Sequence, residues 1–137
     1  MPPGEKTMKK ADIISELSSF PFSPSDYWII TGAAMVLYGI REETADIDLG
    51  CTKDMADRLE SAGFPCVVSE GGRRKIKYST SIEIFEDWLR DTVETLEGYQ
   101  VISIKGLIEM KQELGRPKDK RDLELINSFL GRMEHAL

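Results

Sequence analysis

The segment 30–50, ITGAAMVLYGIREETADIDLG, constrains the fold and chemistry of this chain more than any other. Asp46 and Asp48 alternate with Ile47 and Leu49, which is the pattern of a β-strand with one polar and one apolar face. Both carboxylates are therefore expected on one face, where charges about 5 Å apart repel by roughly 3 kcal/mol at an effective dielectric of 20. Either the pair is a solvated polar strand face, or it binds a divalent cation such as Mg²⁺ through oxygen ligands.

The residues just before this strand favour the metal-binding interpretation. Thr31, Gly32 and Ala33 join a predicted strand to the start of a short helix. Free N–H groups and the helix dipole make such a helix start favourable for a phosphate. Phosphoryl transfer needs a phosphate site close to a metal-binding strand, because the metal bridges phosphate oxygens while backbone amides hold the rest.

Length and composition indicate one ordinary globular domain spanning residues 1–137. A domain takes about 100–200 residues, and the chain is 41% hydrophobic and 31% charged. A net charge of −6 argues against broad, non-specific nucleic-acid binding. The single histidine is His135, close to the C-terminus, so a serine or cysteine triad is not expected. With no apolar run of about 20 residues, no secretory signal and two cysteines expected to be reduced, we expect a cytoplasmic protein without membrane contact.

The hydrophobic periodicity mixes strands and helices without a strict βαβ rhythm. An N-terminal helix is predicted over about 9–18, and two C-terminal helices lie within about 104–133. Short strands are predicted between them, so the expected class is α+β, with a mixed or antiparallel sheet and helices packed on one side.

Two stretches of the chain, TGAAMVLYGIREETADIDL and LIEMKQELGRPKDKRDLELI, together resemble nucleotidyltransferases of the polymerase-beta-like superfamily. The similarity is to the small bacterial members of the abortive-infection and minimal types. These have a Gly-Gly or Gly-Ser turn, a short helix, an Asp-h-Asp strand and a later lysine-bearing helix. The resemblance covers about 27–126, the expected core. It departs from the family in two places. Ala33 stands where the second glycine or serine of the turn would be. Arg41 stands three residues before Thr44, whereas the Arg-x-Thr sequence that often precedes the family's Asp-h-Asp strand has a spacing of two.

This resemblance implies Mg²⁺-dependent transfer of a nucleoside monophosphate from an NTP to an acceptor hydroxyl. Asp46 and Asp48 would bind the metal, two ions being expected, and the turn at Gly32 and Ala33 would hold the triphosphate. Lys111 would neutralise the triphosphate, although its position in an apolar helical stripe also suits a lysine lying along apolar surface. The alternative is an inactive nucleotidyltransferase fold that acts as a binding or regulatory module, such as an antitoxin.

The family's third acidic position corresponds to Glu83, which stands between Ile82 and Ile84 in a predicted strand. It is expected to be a third metal ligand or the base for the acceptor hydroxyl, unless it is an ordinary exposed carboxylate. Three basic residues share one strand face and form either a solvated surface or an acceptor-binding patch: Arg73, Lys75 and Lys77. The acceptor could be a small molecule, a protein or an RNA end, and a second copy or a partner protein is expected to complete the site.

Overall fold

The computed structural model describes residues 7–135, which form a seven-stranded mixed sheet and five helices. The predicted α+β class and mixed sheet are confirmed. Residues 1–6 and 136–137, which the sequence assigned to the same domain, lie outside the described residues. The helices are α1 (Lys10–Ser18), α2 (Thr31–Tyr38), α3 (Lys53–Ser61), α4 (Ile104–Leu114) and α5 (Pro117–His135). The strands are β1 (Tyr27–Ile30), β2 (Ile47–Cys51), β3 (Cys66–Val68), β4 (Arg74–Lys77), β5 (Ile82–Glu86), β6 (Val93–Leu96) and β7 (Tyr99–Ile102).

The strands are ordered β3-β4-β5-β2-β1-β7-β6 across the sheet. The β2–β5 and β1–β7 pairs are parallel, and the other neighbouring pairs are antiparallel. Strand β2 therefore lies near the middle of the sheet, with β5 on one side and β1 on the other. The strand order does not test the further prediction that the helices pack on one side of the sheet, and it stays a prediction.

Strand register separates an apolar row of side chains from the polar ones. Ile29, Leu49, Ile84 and Ile76 are aligned on β1, β2, β5 and β4, and each is 0% exposed. Because side chains alternate between the two faces of a sheet, the residues before and after each of them must point the other way. Asp48 and Glu83 are among those residues, so burial of the apolar row fixes which face the two carboxylates occupy.

Helix α2 follows β1 directly and is buried on nearly all sides. Residues 31–37 are all buried, as expected for a helix that is apolar around its whole circumference. The helix ends at Gly39, whose φ of 83° is in the left-handed region that glycine adopts at little cost. Consequently the short connection 39–46 returns the chain to β2 beside the start of α2. Among the described helices, none is long and apolar enough to cross a membrane.

Candidate functional site

A cavity of about 550 Å³ lies on the polar face of the central strands. This volume is within the range of roughly 300–1,000 Å³ that is common for ligand-binding sites. The cavity brings together five of the six residues that the sequence singled out, and they come from β2, β5, α2, α4 and the connection before β2. They are Gly32, Asp46, Asp48, Glu83 and Lys111.

The three carboxylates converge because of strand register. Asp48 and Glu83 are direct neighbours on the parallel strands β2 and β5, while Asp46 lies just before β2 and is exposed. Burial raises the pKa of Asp48, the nearby Asp46 and Glu83 charges raise it further, and the Thr31 hydroxyl and the Lys111 ammonium act in the opposite direction. The net effect on this pKa is a rise. A cation bound beside Asp48 would relieve this unfavourable charge.

The turn from β1 into α2 is held against Asp48. The Thr31 hydroxyl donates a hydrogen bond of 2.7 Å to Oδ2 of Asp48. Thr31 has a φ of 53°, a strained value for a β-branched residue that costs on the order of 1–3 kcal/mol and that is found mainly at functional sites. The hydrogen bond to Asp48 holds the start of α2 beside the carboxylates despite this strain.

Gly32 is required at this turn because two side chains cover it. A Cβ at this position would lie 2.6 Å from Oγ1 of Thr44 and 3.3 Å from Nη1 of Arg41. Arg41 also lines the cavity, and its guanidinium lies beside the turn. Ala33 is different, since its side chain is 0% exposed and is absent from the cavity lining. Any contribution of Ala33 to ligand binding is limited to its backbone.

Glu83 is paired with one of the three basic residues predicted on β4. Oε2 of Glu83 lies 3.1 Å from Nζ of Lys75, and both residues line the cavity. Arg73 precedes β4 and Lys77 ends it, and both are exposed outside the cavity lining. The predicted basic patch therefore contributes a single residue, Lys75, to the site.

Lys111 lies in the apolar stripe of α4, as its position predicted, but its ammonium is bound by two carboxylates. Its Nζ is 2.9 Å from Oδ2 of Asp122 and 3.3 Å from Oδ1 of Asp119, and the residue is 4% exposed. Asp119 is the third residue of α5, where its carboxylate accepts a hydrogen bond from the backbone N–H of Arg116, as the N3 side chain does in a capping box.

The cavity is more cationic than the chain as a whole. The chain has a net charge of −6, yet basic residues outnumber acidic ones in the lining. The six basic residues are Arg41, Lys75, Lys111, Arg116, Lys118 and Arg121, and the four acidic ones are Asp46, Asp48, Glu83 and Asp122. Sequence reasoning did not assign Arg121 or Asp122 to the site. The available signal was the spacing of Lys118, Arg121 and Asp122, which places them on one face of a helix.

The donor set suits a hard divalent cation. Carboxylate oxygens are the protein ligands that Mg²⁺ prefers, and it commonly takes one or two of them together with phosphate oxygens. Asp46 and Asp48 line one wall, and the Thr31 hydroxyl orients one oxygen of Asp48. Within residues 7–135, no group of three or more His, Cys, Asp or Glu side chains is already arranged around a metal position.

Comparisons of the chain with protein-family models, with curated proteins and with solved structures give no significant match.

Proposed function

We propose that this protein is a nucleotidyltransferase-like domain that binds an NTP with Mg²⁺ and transfers a nucleoside monophosphate to an acceptor hydroxyl. The observation that carries the proposal is the pairing of Asp48 and Glu83 on neighbouring strands, in a cavity whose lining also contains six basic residues. Carboxylates facing cations suit a ligand that is itself anionic and that brings a metal ion with it. The family resemblance supplies the reaction type.

The start of α2 and the cations beside it would bind the triphosphate. Backbone N–H groups at Thr31 and Gly32 belong to the first turn of α2, where partial positive charge favours phosphate. Arg41 lies over this turn and adds a positive charge, although its Nη1 is also 3.7 Å from Oδ1 of Asp122. Asp46 and Asp48 would hold Mg²⁺, which when bound supplies neutralisation of the phosphate oxygens.

In the proposed reaction the acceptor oxygen forms a bond to the α-phosphorus and the bond from that phosphorus to the bridging oxygen breaks. Pyrophosphate leaves with the electron pair of the broken bond. Glu83 can take the proton of the acceptor hydroxyl or serve as a third metal ligand, and Lys75 at 3.1 Å stabilises its charged form. Lys111 pairs with Asp122, which lines the cavity, and with Asp119, which is buried outside the lining. The acceptor remains a small molecule, a protein or an RNA end in this proposal.

Calorimetric titration with a non-hydrolysable ATP analogue tests the proposal. We expect binding to the wild-type protein in Mg²⁺, and at least a tenfold loss on chelation of the metal or in Asp46→Asn and Asp48→Asn. The control is Asp54→Asn, the same change at an exposed position in the first turn of α3, which should bind like the wild type. Binding that ignores both the metal and the two substitutions would refute the proposal.

One feature of the site favours a second candidate, a binding or regulatory module that lacks turnover. Glu83 and Lys111 are both engaged in ion pairs, so the charges assigned to the reaction are already partly balanced. This candidate shares the metal-dependent NTP binding. It differs in releasing no pyrophosphate from a hydrolysable NTP when candidate acceptors are added.

A further inference from the structure

Two aromatic side chains form part of the wall of the same cavity. Phe85 and Trp88 both line it and are half-buried, with ring centroids 5.2 Å apart in an edge-on arrangement. Neither side chain offers a carboxylate or a cation for metal or phosphate binding. A partly exposed aromatic surface inside a charged cavity suits the planar part of a ligand, because stacking on a ring requires no particular hydrogen-bond pattern.

Strand register gives the order of these groups along the sheet. Ile30 is aligned with Asp48, and Asp48 is aligned with Glu83. Thr31 and Gly32 follow Ile30, so they lie beyond the Ile30–Asp48–Glu83 row at the end where β1 finishes. Strand β5 runs antiparallel to β1, so Phe85, two residues after Glu83, lies about 6.6 Å from that row toward the other end. The phosphate turn and the aromatic wall therefore flank the carboxylates on opposite sides.

Trp28 supports the aromatic wall, which consists of Phe85 and Trp88. Trp28, Gly50 and Phe85 are aligned on β1, β2 and β5, and a Cβ at Gly50 would collide with the Trp28 indole. Glycine thus allows Trp28 to lie across β2, where its Nε1 donates a hydrogen bond of 2.8 Å to the carbonyl oxygen of Trp88. This bond ties the segment after β5 to the sheet and positions Trp88 at the cavity.

We propose that Phe85 and Trp88 form a subsite for the heteroaromatic base of the nucleotide whose triphosphate lies at the Thr31–Gly32 turn. This inference rests on the proposed function. A nucleotide laid along β2 and β5 has its phosphates at one end, the metal-binding carboxylates in the middle and its base against the aromatic wall. Lys75 lies 5.8 Å from the centre of the Phe85 ring and 3.1 Å from Glu83, so it joins the aromatic wall to the carboxylates.

The test compares a ligand that has a base with one that lacks it. The probes are a non-hydrolysable ATP analogue and inorganic tripolyphosphate, each titrated in Mg²⁺ by calorimetry. Trp88→Ala should weaken binding of the analogue roughly tenfold and change tripolyphosphate binding less than twofold. Trp88→Phe should retain most of the affinity. Phe85→Leu, which keeps an apolar side chain in the sheet, provides a second variant if Trp88→Ala does not fold.

Fluorescence gives an independent readout, since the chain contains two tryptophans. The analogue should quench the emission of the wild-type protein more than that of Trp88→Phe, and tripolyphosphate should quench neither. Equal losses for both ligands in Trp88→Ala, or no loss for either, would overturn the base subsite while leaving the proposed function intact. Failure of both ligands to bind the wild type would overturn the two proposals together. A single-stranded oligoribonucleotide that quenches Trp88 only after the analogue is bound would reassign the wall to the acceptor.

Discussion

At the scale of single residues, the strongest sequence signal is the one that strand register explains. Asp46, Asp48 and Glu83 were identified because acidic and apolar residues alternate, and the structure brings all three to one cavity. Arg41 carries no such pattern. Its position depends on the tertiary approach of the connection 39–46 to the first turn of α2, and no local periodicity encodes that approach. Ala33 was placed at the site by analogy with a turn, whereas its side chain packs in the core.

Gly32 provides the sharpest prediction for a single residue. We expect Gly32→Ala to lower the free energy of unfolding by about 1–3 kcal/mol, because the added methyl group would lie 2.6 Å from the Thr44 hydroxyl oxygen. The same change should weaken NTP binding by displacing Arg41. Denaturation in urea, monitored by circular dichroism, measures the first effect.

The control for this change is Gly131→Ala within α5. A Cβ at Gly131 would meet nothing within 4 Å, so replacing this helical glycine should stabilise the protein by about 0.5–1 kcal/mol. Opposite signs for the two variants would support the close packing at Gly32. A Gly32→Ala protein as stable as the wild type would show that Thr44 and Arg41 can move away at little cost.

At the scale of secondary-structure elements, most helices and strands follow from periodicity and turn residues. Helix α3 begins after Thr52, a residue type favoured at N-caps, whose hydroxyl accepts a hydrogen bond from the backbone N–H of Met55. The segment after β5 could not be assigned from sequence. Its conformation depends on a long-range hydrogen bond from Trp28 and on positive φ angles at Asp87 and Asp91, which hydrophobic patterns do not indicate.

The junction of α4 and α5 depends on a buried charge pair. Asp119 is 0% exposed; burial alone would raise its pKa, but hydrogen bonds from Arg116 and the nearby Lys111 ammonium lower the pKa from 3.8 to about 2. We expect Asp119→Asn to destabilise the protein by about 3–5 kcal/mol at pH 7, since it leaves the Lys111 charge buried with less compensation. Thermal melting measures the change.

The pH dependence of stability, together with a matched variant, shows whether the loss in Asp119→Asn comes from the buried charge or from helix capping. Because the folded protein lowers this pKa, the carboxylate contributes stability above pH 4 that is lost as the pH falls toward about 2. The difference between wild type and Asp119→Asn should therefore narrow in acid. Asp12 accepts the same type of capping hydrogen bond at the start of α1, from Lys9, but is exposed. Asp12→Asn should cost no more than about 1 kcal/mol, and an equal cost at both sites would attribute the effect to capping alone.

At the scale of the whole molecule, basic residues are concentrated around the cavity although the chain as a whole is acidic. A chain of net charge −6 concentrates six basic residues around one cavity. Composition predicted the overall sign and therefore disfavoured non-specific binding of nucleic acid. It could not predict the local excess of positive charge, because Arg41, Lys75 and Arg121 are far apart in sequence and meet only when the sheet and α5 are assembled.

This distribution predicts that anion binding depends on local charge and not on net charge. Arg121→Gln should weaken binding of Mg²⁺-tripolyphosphate about two- to fivefold, the effect expected for one exposed ion pair. Arg132→Gln makes the same charge change at an exposed position of α5 outside the cavity lining, and it should leave the affinity unchanged. Titrations at increasing KCl should reduce the difference between the variants, because salt screens exposed charges. If both substitutions weakened binding equally, anion binding would depend on the summed charge of the protein. The cavity could then no longer be identified as the anion-binding site.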